Sequence, residues 1–255
     1  MPSLKKKLRG LLLRLFNAIE NNGNYNFNSN GESFFIEYLF KQFKSPAVIF
    51  DIGANVGDYS KIIESQSLKS EVDIRLHVFE PTRSCFEQLT EKFGGKNNVT
   101  LNNYGVSDSN GLATIFYDKE SSGLASLYQR NLESYGLELS YIEEVRIRRM
   151  DAYIEEKNIN HIDFIKIDIE GHELKAFEGF GSYLNGEFID YIQFEYGGAN
   201  LDSHTSLMDI FKFLTEKGFV LAKVMPNGLE VRGYSPFMDN FNYANYVAIS
   251  NFKII

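Results

Sequence analysis

From Pro46 onward the chain alternates short apolar runs with longer amphipathic ones. The runs AVIFDIG from Ala47, IRLHVFE from Ile74, VTLNNYGVSD from Val99, IDFIKIDIEG from Ile162 and YIQFEY from Tyr191 have the length and the β-branched and aromatic content of strands. Between and after them, a segment starting near Tyr59, RSCFEQLTEKF, ELKAFEGFGSYL and SLMDIFKFLTEKG repeat their apolar positions at helical spacing. Strands alternating with helices predict right-handed βαβ units and a parallel sheet covered on both faces. Upstream, Asn21–Asn30 reads as loop, and GESFFIEYLFKQF reads as a helix that Pro46 stops. Two segments break the rhythm. ATIFYDKESSGLASLY reads as an inserted hairpin or loop excursion, and the tail FVLAKVMPNGLEVRGY plus NYVAIS reads as strands around an Asn-Gly turn.

The first forty-odd residues stand apart from this pattern. LKKKLRGLLLRLFNAIE places basic residues ahead of leucines, as a signal peptide does, but Arg14 interrupts the apolar run and no small-residue cleavage site follows. It is too short to span a bilayer. Its amphipathic pattern suits an anionic membrane surface; the commoner use of such a helix is packing on its own domain or on a second subunit. The expected division is a helical extension over 1–45 and one α/β domain over 46–255.

Composition narrows the function. With 255 residues, 44% of them hydrophobic, the chain can bury a substantial core. A formal charge of −8 argues against a broad nucleic-acid footprint. Cys85 is the only cysteine, so no internal disulfide forms, which fits a reducing compartment such as the cytoplasm.

Chemistry concentrates where the first strand ends, in VIFDIGANVGDYS. Gly53 and Gly57 allow close backbone approach, and the following helix presents free N–H groups. The string G-A-N-V-G departs from the G-x-G-x-x-G spacing of dinucleotide-binding turns. A second strand then ends at Glu80, about one βαβ unit later, where a carboxylate can accept hydrogen bonds from both hydroxyls of a ribose.

A D-x-G-x-N-x-G turn resembles the first motif of Rossmann-like, class I methyltransferases that use S-adenosylmethionine. Together, FDIGANVGDYS, VFEP, GVSD, IKIDIEGHE and NYVAIS resemble the FkbM family of these enzymes over roughly Val48 to Ser250. The resemblance implies a mostly parallel seven-stranded sheet with helices on both faces and an antiparallel C-terminal strand. It implies S-adenosylmethionine as cofactor and S-adenosylhomocysteine as product, with Asp51, Gly53, Asn55, Gly57, Tyr59, Glu80, Ser107, Asp108 and Asp168 on the cofactor. Asp51 suits a cationic sulfonium where it would repel a phosphate. Ser107 and Asp108 would lie near the adenine.

Period two places Lys166, Asp168 and Glu170 on one side of the fourth strand, and Gln193 and Glu195 repeat the arrangement on the fifth. A polar file in a central parallel strand is costly unless paired or used. Methyl transfer to a hydroxyl needs a proton acceptor, for which His172, Glu170 and Glu195 are candidates, with Lys166 beside them. Alternatively Asp168, Glu170, His172 and Glu195 gather a divalent cation that lowers the acceptor's pKa; the metal-free base is the favoured reading. Aromatic loops over 121–136 and 233–246 suit a sugar's ring faces and hydroxyls. The expected activity is O-methylation of a sugar, nucleotide-sugar or glycan-related metabolite, since the family often modifies glycans. The alternatives are a nicotinamide- or flavin-dependent oxidoreductase and a catalytically inactive cofactor-binding module.

Overall fold

The computed structural model describes residues 4–253. Chain order is α1 (Leu4–Ile19), α2 (Glu32–Gln42), β1 (Ala47–Ile52), α3 (Asp58–Ser70), β2 (Ile74–Phe79), α4 (Arg83–Phe93), β3 (Val99–Asn102), β4 (Gly105–Val106), β5 (Gly111–Tyr117) and β6 (Tyr141–Arg148). It continues α5 (Met150–Lys157), β7 (Ile162–Ile167), α6 (Glu173–Gly179), β8 (Ile189–Tyr196), α7 (Gly198–Asp202), α8 (Leu207–Glu216), β9 (Phe219–Met225), β10 (Gly228–Val231) and β11 (Ala244–Ser250).

The main sheet runs β10-β9-β11-β8-β7-β1-β2-β3. The pairs β2–β3, β1–β2, β1–β7 and β7–β8 are parallel, and β11 runs antiparallel between β8 and β9. This is the Rossmann-like methyltransferase architecture that the resemblance implies. The hairpin arm β10 adds an eighth strand at one edge, because the Asn-Gly turn folds it back on β9.

Strand alternation divides the core into two layers. On β1, Phe50 and Ile52 face one layer with Tyr153, Phe177 and Leu214, while Ala47 and Ile49 face the other with Phe35, Ile63 and Leu89. Phe35, Ile36, Leu39 and Phe40 of α2 are all buried in that second layer, so α2 is part of the sheet's covering. The sheet order reverses between β1 and β7, and a ligand crevice is expected outside the carboxyl ends of those two strands.

The run from Val99 divides into β3 and β4, and β4 leaves the main sheet to join β6 and β5 in a three-stranded sheet. The inserted segment is half of an antiparallel pair whose other strand, β6, and the helix α5 after it went unread in the sequence. The alternation in YIEEVRIR carries the β6 signal, but charges at Glu143, Glu144 and Arg146 mask it because the strand is exposed on one face.

Candidate active site

At the carboxyl ends of β1, β2 and β7 lie two cavities that share Gly53, Asn55 and Asp168. The smaller, about 170 Å³ and chiefly apolar, is lined by Phe79, Glu80, Tyr104, Val106 and Ile169 on one side and by Ser122, Gly123, Ala125 and Leu127 of the insertion. The larger, about 420 Å³, is lined by Phe27, Glu32, Asp51, Tyr59, Lys166 and Tyr243. A glycine turn stands where the two meet.

Gly53 has φ +83°, and a Cβ there would run into the backbone carbonyl of Asp168. The strand-to-strand approach, rather than ligand space alone, therefore demands glycine. Gly57, at φ +84°, would press its Cβ on Leu89 and Phe93 of α4. Asn55 takes a left-handed conformation between them and donates its backbone N–H to Glu80 Oε2 at 2.9 Å. The other oxygen of Glu80 accepts from the N–H (2.8 Å) and hydroxyl (2.6 Å) of Thr82. Glu80 is therefore a turn anchor as well as a cavity wall, and its second role was invisible in the sequence. Burial raises its pKa.

Asp51 is buried under the turn, where it accepts from Ser60 Oγ at 2.5 Å. Burial pushes its carboxyl up to about 6. Tyr59 donates to Gln193 Oε1 at 2.9 Å, and Gln193 in turn donates to Glu32 Oε1 at 2.6 Å and Asn245 at 3.1 Å. Lys166 lies buried over the Tyr59 ring, 3.2 Å from Asp168. Gln193 on β8 is thus satisfied by α2, α3 and β11, and Lys166 on β7 by Asp168 and the Tyr59 ring.

Past Ile167 the strand ends, and a turn with Glu170 at φ +51° swings the acids together. Carboxylate oxygens of Asp168, Glu170 and Glu195 lie within 4.8 Å of one another. Burial first, then repulsion by Asp168, raises the pKa of both Glu170 and Glu195. Arg130 holds Glu170 at 2.5 Å and reaches Asp202 at 3.3 Å. Behind them the buried Glu173 accepts from the N–H groups of Ile169 and Gly171 through one oxygen, at 3.2 Å each, while its other oxygen has no hydrogen-bond partner among the described residues.

His172 does not join the cluster. Its Nε2 lies 2.9 Å from Ser107 Oγ and its Nδ1 2.9 Å from Tyr128 OH, on the wall of the smaller cavity. Burial pushes its pKa down to about 4, so the ring is neutral, with one hydroxyl donating to it and the other accepting. His172, expected as a general base, thus has both ring nitrogens engaged and lines the smaller cavity rather than joining the acid cluster. Ser107 is placed beside the smaller cavity through that contact, whereas the Asp108 carboxylate turns to Lys175 at 3.0 Å and lines neither cavity.

The methyltransferase FkbM domain matches residues 51–221, from the buried acid of β1 to the middle of β9. The chain belongs to the FkbM methyltransferase family. This FkbM methyltransferase is 24% identical over 188 residues to the hexuronic acid methyltransferase AglP of Haloferax volcanii, a match covering 73% of this chain and 71% of that one. It is 27% identical over 164 residues to the AMB antimetabolite synthetase AmbE of Pseudomonas aeruginosa, covering 52% of this chain and 8% of that much longer one. A solved FkbM methyltransferase from Methylobacillus flagellatus shares the fold, with a TM-score of 0.50 at 17% identity, over 80% of this chain and 44% of that one.

Three groups beside these cavities, Arg130, Phe27 and Glu32, went unread in the sequence, and Tyr128 was read only as part of the aromatic loop over 121–136. Arg130 and Tyr128 come from the insertion, which reaches over the cavities and is tied to them by Asn55 Nδ2 on the Ser122 carbonyl (2.9 Å) and Ser126 Oγ on the Glu170 carbonyl (2.8 Å). Phe27 and Glu32 come from the region before Pro46. No motif marks any of them, because each reaches the site from a distant element.

Proposed function

We propose that this chain transfers a methyl group from S-adenosylmethionine to a hydroxyl of a sugar, nucleotide-sugar or glycan-related metabolite. The observation that carries the reading is the convergence of Asp168, Glu170 and Glu195 beside the glycine turn where the two cavities meet. The smaller apolar cavity suits an adenosine, with Glu80 on its wall for the ribose. Asp51 and Asp168, across Gly53, suit the cationic end of the cofactor. When bound, S-adenosylmethionine supplies an electrophilic methyl on a sulfonium.

What this chain adds is a proton acceptor. As the acceptor oxygen gains its bond to carbon its proton must leave, and Glu195 is the carboxylate of the cluster with no ion-pair partner among the described residues. Arg130 and Lys166 limit the charge that accumulates there. The name of the Haloferax relative supports a carbohydrate acceptor, and Phe27, Tyr59 and Tyr243 line the larger cavity with rings suited to a sugar face.

A second use of the same carboxylates is favoured by their spacing, which suits one hard divalent cation held by oxygen ligands. His172 is not in that set. Labelled S-adenosylmethionine incubated with a panel of uronic acids, neutral sugars and nucleotide-sugars, with and without chelator, tests both. Transfer that survives the chelator supports the base, and transfer restored only by added cation supports the metal. Stabilisation by S-adenosylhomocysteine without transfer to any acceptor would favour an inactive cofactor-binding module. Stabilisation by NAD or a flavin instead would favour the oxidoreductase reading.

A further inference from the structure

Helix α1 projects from the body with none of its residues buried. Leu4, Leu8, Leu11, Leu12, Leu15 and Ile19, each 51–83% exposed, recur at the three- and four-residue intervals that align them along one face. That face runs about 24 Å at 1.5 Å per residue. Phe16 extends it onto the exposed Phe237 of the tail, 6.2 Å between ring centroids. Lys5, Lys7, Arg9 and Arg14 flank the stripe, and the helix has no acidic residue, although the chain as a whole carries −8.

We infer that α1 docks this protein on an anionic lipid bilayer, with its apolar face in the headgroup boundary and its basic flanks on the lipid phosphates. The charge pattern separates this occupant from the others. Pairing α1 with a second α1 would bring basic flanks against basic flanks. The apolar groove between α8 and the β9–β10 hairpin is bordered by Lys212, by Glu216 and by an Arg232 already paired with Glu20 and Glu230, so it offers a basic helix no surplus of negative charge. A bilayer interface is apolar in depth and negative at its surface, which matches both parts of the helix.

The root of α1 is fixed. Glu20 pairs with Lys223 at 3.4 Å and with Arg232, Asn21 Nδ2 donates to the carbonyls of Asn30 and Val224 at 2.7 and 3.0 Å, and the Gly23 N–H donates to the Tyr243 carbonyl at 2.8 Å. Tyr25 packs on Tyr243, which lines the larger cavity together with Phe27. A docked α1 would thus hold the mouth of that cavity close to the membrane surface. The inference does not depend on the acceptor or on the chemistry proposed above.

The test is co-sedimentation of the full chain with phosphatidylcholine vesicles, with and without about 30% phosphatidylglycerol, at low and high salt. The protein is expected to sediment with the anionic vesicles only, to be released by salt, and to lose binding at least about tenfold in the Leu8→Glu, Leu12→Glu double variant. Because α1 has no buried residue, that variant should melt with the wild type, so a loss of binding cannot be put down to unfolding. No sedimentation with anionic vesicles at low salt overturns the inference, as does equal sedimentation of the double variant. A wild type that is dimeric by light scattering, becomes monomeric in the double variant and ignores vesicles overturns it in favour of a second copy of the chain.

Discussion

Glu80 Oε2 accepts the backbone N–H of Asn55 at 2.9 Å, joining the end of β2 to the glycine turn that follows β1. A carboxylate expected from the sequence to serve a ligand also ties the glycine turn to the end of β2. This coupling shapes what any substitution at the site will report.

Replacing Glu80 by Ala should weaken S-adenosylhomocysteine binding by about 1.5 to 3 kcal/mol, the range for hydrogen bonds to charged groups, and should also lower the melting temperature. Glu80→Gln should lower it too, since either amide orientation sets an NH₂ against a backbone N–H donor, of Asn55 or of Thr82. Calorimetry paired with thermal melts checks both. Unchanged affinity in a folded Glu80→Ala protein would mean that the ribose is held elsewhere.

Glu195→Gln should lower turnover by roughly 10² to 10⁴ while S-adenosylhomocysteine affinity stays within a few-fold, because proton acceptance matters only in the transition state. Since burial and Asp168 raise the pKa of Glu195, the wild-type rate should climb with pH as the cluster loses its proton, and that limb should be missing in Glu195→Gln. A rate profile that keeps its acidic limb in the variant would assign the proton acceptor to another group.

His172→Gln, by contrast, should keep turnover within about tenfold, below the range expected for a general base. The wild-type His172 pKa lies near 4 in the folded chain against an ordinary 6.5, so its contribution to stability is present above pH 6.5 and is lost as pH falls toward 4. Melting curves of the variant should fall less steeply than wild type across that window. A loss of turnover on the scale of Glu195→Gln would return His172 to the catalytic set.

Glu173 has the opposite sign. Burial raises its carboxyl from 4.5 to about 7, so the folded chain holds the proton more tightly and stability declines as pH rises between those values. The full effect is up to about 3 kcal/mol, because each tenfold change in proton affinity corresponds to about 1.4 kcal/mol. Denaturant midpoints of Glu173→Gln should be flatter than wild type from pH 4.5 to 7.5, and parallel curves would show that the proton is not there.

Much of the molecule was legible because its signals are local. Alternation in AVIFDIG and IRLHVFE fixes which side chains enter which layer, helical spacing fixes α4 and α8, and the turn D-I-G-A-N-V-G marks the crevice before any neighbour is known. Even the polar file Lys166, Asp168, Glu195 announces itself, since charges in a central strand have a cost that a sequence cannot hide. Those features depend on residues a few positions apart and on the period of the backbone.

What only the tertiary structure decided is who meets whom. Glu195 joins Asp168 and Glu170 because β8 lies beside β7 and the turn at Glu170 bends back, and Arg130 arrives from forty residues upstream to hold Glu170. His172 is adjacent to this set in sequence, yet the start of α6 carries it to Ser107 and Tyr128. Gly53 reads as ligand space in the sequence and proves also to be clearance for the carbonyl of Asp168. A pattern of periods records which face a residue takes; the distance between two faces, and hence the pKa and partner of every group in the site, is set by packing of elements far apart in the chain.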